Sequence, residues 1–381
     1  MKKKLFTLAL LFTACLINAH SCPDKQYPQL KDLGIYDLCG KSQNHLQHDS
    51  DIIQISNSNT DDNIYVDGFY YHRLNDYEVE VTGSKQKEGA ITIPDKIIYD
   101  FVFFYDVVAI GHDAFHGCSG LTAIEIPNSV TSIREGAFSW CTSLTSINIP
   151  NSVKSIGRSA FFGCSGLTSI NIPNGVMSIE ENTFSNCSGL ESVTIPSSVT
   201  SIGNRAFDEC TGLTSITISS GVTIIGVGAF HSCSGLTSIN IPNSVTIIEF
   251  GAFSDCSGLT SINIPNSVII IRANVFKNCN NLGNVTNLSR TPQIISSDVF
   301  EIYGTLHVLP GCGEAYRAAE VWKNFTIVED ATDGIGDILN DNKEPFIIGI
   351  YDLSGKKHNQ LQPGTNIIRM EDGTMRKIIR K

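Results

Sequence analysis

Eight cysteines fall at one fixed interval along the chain: Cys118, Cys141, Cys164, Cys187, Cys210, Cys233, Cys256 and Cys279, each 23 residues after the last. They open seven consecutive units without a gap, from Cys118 to Asn278. The units begin CSGLTAIEIP, CTSLTSINIP, CSGLTSINIP, CSGLESVTIP, CTGLTSITIS, CSGLTSINIP and CSGLTSINIP. Each continues through a Val, an Ile three residues on and a Phe five residues later, as Val153, Ile156 and Phe161 show. An eighth unit begins at Cys279 and degrades. A partial unit precedes the first, with "IIYDFVFFYD" inserted as an extra hairpin or edge cover.

Within a unit, L-x-x-I-x-I alternates apolar and polar residues and then meets Pro, which reads as one short strand. V-x-x-I-G reads as a second extended piece. The spacing of x-x-A-F-x-x-C predicts one turn of helix. One such unit has a single apolar stripe and no second layer to bury it against. Stacking on like units, with strand hydrogen bonds between them, supplies both. The expected fold is a repeat solenoid, mainly β, with parallel strands, short helical turns and small terminal β-modules.

The pattern LxxIxIPxxVxxIGxxAFxxC resembles the BspA-like leucine-rich repeats of bacterial surface proteins, over roughly residues 90–300. "YVDGFYYHRLNDYEVEVTGS" is similar to the hairpin that begins such proteins, and "TLHVLPGCGEAYRAAEVWKNFTIVE" to the cap that ends them, with a helix expected from Glu314 to Trp322. The tail "FIIGIYDLSGKKHNQLQPGTNIIRMEDGTMRKIIRK" is similar to the C-terminal sorting modules of type IX secreted proteins. The resemblance implies non-enzymatic binding, as adhesion to host or matrix proteins or to other cells. The alternative is a structural or glycan-binding surface-layer component.

The two ends of the chain share a sequence. "GIYDLCGKSQNHLQHDSDIIQI" at 34–55 aligns with "GIYDLSGKKHNQLQPGTNIIRM" at 349–370 at 12 of 22 positions, without a gap. The organisation therefore reads as a signal peptide at 1–19, a partial copy of the tail β-module at 20–60, and a leader hairpin with N-terminal cap at 61–106. Repeats follow at 107–300, a C-terminal cap at 301–330, a linker at 331–345, and a C-terminal β-module, a candidate sorting domain, at 346–381.

MKKKLFTLALLFTACLINA has the basic start and short apolar run of a secretory leader, too short to span a bilayer. Cleavage after Ala19 competes with lipid attachment at Cys15. No later stretch is apolar enough for a transmembrane span. The expected location is secreted, or on the bacterial cell surface at the outer membrane. A net charge of −11 argues against nucleic acid, which calls for a basic stripe. The partner expected is an extracellular protein or glycan.

Three readings compete for the cysteine ladder: disulfides between stacked neighbours, a zinc site, or a packing slot. In-register side chains point the same way, so their Cβ atoms stand slightly too far apart for a bridge. Structural zinc sites use closely spaced pairs such as CxxC, and the chain has none. The spacing follows Leu, Ile and Phe, so the ladder reads as buried structural thiols. Of the cysteines outside it, Cys22 and Cys39 are the candidate disulfide. His112 and His116 read as exposed repeat positions. No cofactor, metal or catalytic constellation stands out, so the chain reads as a non-enzyme. The candidate binding face is the outward ladder Thr145, Ser146, Asn148; Thr168, Ser169, Asn171; Thr237, Ser238, Asn240; Thr260, Ser261, Asn263.

Overall fold

The computed structural model describes residues 63–99 and 103–332, with 347–352, 356–358, 364–370 and 375–380. The segment read as a signal peptide at 1–19, Cys15, Cys22, Cys39 and the front copy of the tail sequence lie outside the described residues.

The repeats stack into a solenoid with three parallel rows. The first, the face row, comprises strands Ser146–Ile147, Ser169–Asn171, Ser192–Ile195 and Ser215–Ile218, then Ser238–Asn240, Ser261–Ile264, Asn284–Asn287, Thr305–Val308 and Thr326–Val328. Strands pair parallel and in register, so Ser146, Ser169, Ser192 and Ser215 are neighbours across the ladder. The ladder is interrupted between Ser215–Ile218 and Ser238–Asn240. The second, the flank row, is V-x-x-I. It pairs Ser132–Ile133 with Ser155–Ile156, then runs from Ser178–Ile179 through Ser201–Ile202, Ile224–Ile225 and Ile247–Ile248 to Ile270–Ile271.

The third row corrects an expectation. The Ala-Phe segment is not a helical turn. Alternate amides donate within the unit and to the next one: Ala137 N–H to Arg134 O, then Phe138 N–H to Ala160 O, Ser139 N–H to Gly136 O and Trp140 N–H to Phe162 O. Each unit reaches this geometry with two residues in the left-handed region, one before the Ala and one before the Cys. They are Gly136 and Trp140 in one unit, Ser159 and Gly163 in the next, and Arg205 and Glu209 two units further on. At Gly163 the requirement is double, because φ is +70° and an added Cβ would lie 2.7 Å from the Trp140 ring.

The core is a set of one-residue ladders. Leu144, Ile147, Ile149, Val153, Ile156, Ala160 and Phe161 are buried, and so are their equivalents along the stack. The phenylalanines from Phe115 to Phe300 form a continuous column with centroids 5.1–5.7 Å apart. Trp322 and Phe325 end it with edge-on contacts to Phe300 at 5.6 and 5.0 Å. An aromatic column left open would expose its last ring, and this pair covers it. Trp322 Nε1 also donates to Gln293 O at 2.8 Å. The helix before it spans Gly313–Ala318, shorter than expected, and a 3₁₀ turn follows at Trp322–Asn324.

At the N-terminal end, strands Asn63–Val66, Phe69–Arg73 and Glu78–Ser84 form an antiparallel meander. Glu78–Ser84 pairs parallel with Phe103–Ile110, which begins the flank row. The inserted segment is a hairpin of Lys96–Tyr99 against Phe103–Ile110. The tail strands Ile347–Asp352, Lys357–His358, Gly364–Met370 and Met375–Arg380 form a separate antiparallel sheet.

Candidate functional site

The twelve residues of the face ladder project outward from the face row; eleven are exposed and Ser261 is half-buried. Alternation along the strand produces this, since Leu, Ile and Ile point inward and the residues between them point out. The two units in the middle of the row add Glu191, Ser192, Thr194, Thr214, Ser215 and Thr217. Glu191 is the only charged residue among these outward positions between Thr145 and Asn263.

The outward residues play two parts. Thr168, Thr214 and Thr260 donate their hydroxyls to the carbonyls of Thr145, Glu191 and Thr237 one unit back, at 3.1–3.3 Å. These threonines staple the stack and keep acceptor capacity only. The Ser and Asn side chains of the ladder make no hydrogen bond to the described protein, so their donors and acceptors both face outward. Ser238, Asn240, Ser261, Asn263 and Thr286 line a shallow open trough of about 280 Å³. A second groove, about 440 Å³, lies where the flank row breaks after Ser155–Ile156, and Arg134, Lys154, Arg158, Met177 and Glu180 line it.

The eight ladder cysteines are buried and unbridged, as is Cys312. From Cys141 to Cys279, each Sγ donates to the carbonyl of the Phe 26 residues earlier, at 3.0–3.2 Å. The same carbonyl accepts the backbone N–H of the Cys three residues after it, as Phe138 O does from Cys141 N–H. Burial pushes the thiols up, to about 12 for Cys164 and Cys279. A thiol held neutral, enclosed and engaged as a donor is a poor nucleophile.

His112 and His116 are exposed, and they sit in the third row rather than on a helix. His116 Nδ1 lies 2.5 Å from Ser139 Oγ. His231 lies between Asp208 and Asp255, at 2.6 and 3.3 Å, with Ser232 Oγ 3.5 Å from Nε2. This resembles an Asp-His-Ser relay, but Asp255 competes for the nitrogen that would serve the hydroxyl. No group of three metal-ligating side chains occurs among the described residues, and no helix there is long and apolar enough to cross a membrane.

These features define a class: a leucine-rich-repeat solenoid of 23-residue units, capped at its C-terminal end and presenting a nearly uncharged strand face. The chain belongs to the family described as BspA type leucine rich repeat region, which it matches over residues 95–214 and 200–307, more than half its length. Among solved structures it is similar to a leucine-rich repeat protein from Bacteroides ovatus, with 28% identity over 70% of this chain and 81% of that one, TM-score 0.49. It is similar to a T. pallidum leucine rich repeat protein, with 32% identity over 51% and 90% of the two chains, TM-score 0.46. A leucine rich cell surface protein from Faecalibacterium prausnitzii shares 24% identity over 71% and 95%, TM-score 0.45. No curated protein matches the chain.

Proposed function

We propose that this is a secreted or surface-displayed protein that works by non-enzymatic binding, as an adhesin for host or matrix proteins or for other cells, through the face row. One observation carries the reading. The outward positions from Thr145 to Asn263 are Thr, Ser and Asn with a single charge at Glu191, on a chain of net charge −11. Unpaired Ser and Asn groups repeat at the strand spacing of about 4.8 Å, which suits an extended partner better than a compact one. The leader-like start supports export, and Cys15 offers a lipid-anchor site.

A second reading has its own observation. The face lacks the Trp, Tyr and Arg anchors that dominate protein hot spots. Its trough at Ser238, Asn240, Ser261 and Asn263 offers hydrogen-bonding amides and hydroxyls, which suit a glycan or surface-layer polymer. The test presents the full chain to immobilised matrix proteins, whole cells and purified polysaccharides. Saturable binding to protein or cells supports adhesion. Binding to polysaccharide alone supports the second reading, and binding to none of them contradicts both.

A further inference from the structure

One outward slot of the flank row changes character midway along the stack. In four consecutive units it holds serine: Ser132, Ser155, Ser178 and Ser201. In the next three it holds Ile224, Ile247 and Ile270, which are direct neighbours across the parallel ladder. The following unit continues the series. "PQIISSDVF" at 292–300 aligns with "VIIIRANVF" at 268–276, which puts Ile294 in the slot of Ile270. Ile224 is 37% exposed and Ile294 fully so, while Ile247 and Ile270 are half-buried. Ile269, 71% exposed, and Phe250, 49% exposed, flank the stripe.

The stack does not require these isoleucines, because serine serves the same slot in the earlier units. A contiguous aliphatic surface beyond what packing needs marks an interaction site. Its layout is symmetric about its own centre. A two-fold axis parallel to the strands, midway between Ile247–Ile248 and Ile270–Ile271, sets Ile247 opposite Ile270 of a second copy and Ile224 opposite its Ile294. The same axis sets Glu249 opposite Arg272 of the second copy. These two residues stand one unit apart on either side of that midpoint and form an ion pair at 3.7 Å within one chain. Apolar and charged positions are thus self-complementary about one axis, as an isologous contact demands. The stripe itself carries no charge, so two chains of net charge −11 meet there without local repulsion.

We propose that the stripe Ile224–Ile247–Ile270–Ile294 is a homodimer interface, through which two solenoids pack sheet against sheet and leave both face rows free. The test is sedimentation of the full chain across a range of concentrations. The expected species is a dimer. The pair Ile247→Ser and Ile270→Ser should weaken it by at least about tenfold, from the apolar area lost. Thermal unfolding of the monomer should hold, since serine occupies that slot in four other units. Glu249→Arg should also weaken the dimer, and adding Arg272→Glu should restore it. A wild-type chain that stays monomeric overturns the proposal and assigns the stripe to the tail module or a foreign protein. A dimer indifferent to the serine pair overturns it as well, and a double charge swap that fails to restore overturns the axis.

Discussion

At the scale of single residues, the cysteine is the informative one. Cys210 donates its thiol to Phe184 O and its backbone N–H to Phe207 O, so each Cys ties two turns together by reaching the carbonyls of two successive phenylalanines. Cys210→Ala should cost roughly 1–2 kcal/mol, from the lost donor and a small cavity, measured by chemical denaturation. Alkylation of folded protein at pH 8 should leave the ladder untouched, and alkylation after unfolding without reductant should label all eight positions. Eight unlabelled positions would show that the ladder is oxidised. The pH dependence follows from burial. An unfolded cysteine loses its proton near pH 8.5, whereas the folded Cys164 and Cys279 hold theirs to about 12. Above pH 8.5 the unfolded chain therefore binds fewer protons than the folded one, and stability falls as pH rises. Thermal melts at pH 7.5 and 10 should differ in that direction. The left-handed positions give a second test. Glu209 has φ +57° and an exposed side chain. Glu209→Gly should raise stability by about 0.5–1 kcal/mol, and a loss would show that its side chain does something unseen here.

At the scale of elements, the unit and its stacking partner were legible before the structure. The 23-residue period, the L-x-x-I-x-I strand and the buried Leu, Ile, Val and Phe all follow from alternation and repetition. The Ala-Phe turn was not. Spacing of three and four residues looks helical, and the signal of its true geometry is a backbone dihedral. That dihedral is met by Trp140, Arg205 and Glu209 as well as by glycine, so no residue type marks it. The split of the face ladder into stapling threonines and free serines and asparagines was equally hidden, because a hydroxyl's partner depends on the neighbouring turn. The isoleucine stripe was printed in the sequence as a change from V-T-S-I to V-T-I-I. Its meaning waited on knowing that the slot points outward. The phenylalanine column is the element on which the units depend most. Phe184→Ala, in mid-column, should cost about 3–5 kcal/mol. Trp322→Ala should loosen the C-terminal units first, seen as earlier hydrogen exchange from about 280 to 330 than in the central repeats.

At the scale of the whole molecule, the solenoid gives three jobs to its core and two of its surfaces. The Phe column and Cys ladder hold the stack, the flank stripe suits a second copy, and the face row is left repetitive and nearly uncharged. That division suits a binding scaffold, in which the residues that hold the stack are separate from those that meet a partner. The proposed function depends most on the face row. The decisive measurement compares saturation binding of the wild-type chain with that of an Asn171→Arg, Asn240→Arg and Asn263→Arg variant, on whichever matrix protein, cell or polysaccharide the wild type binds. The three asparagines are exposed and make no bond to the stack, so the variant should fold and melt like the wild type. Binding through the face row predicts at least a tenfold loss of affinity with no change in unfolding. Unchanged affinity in a folded variant would contradict it and move the binding site off the face row.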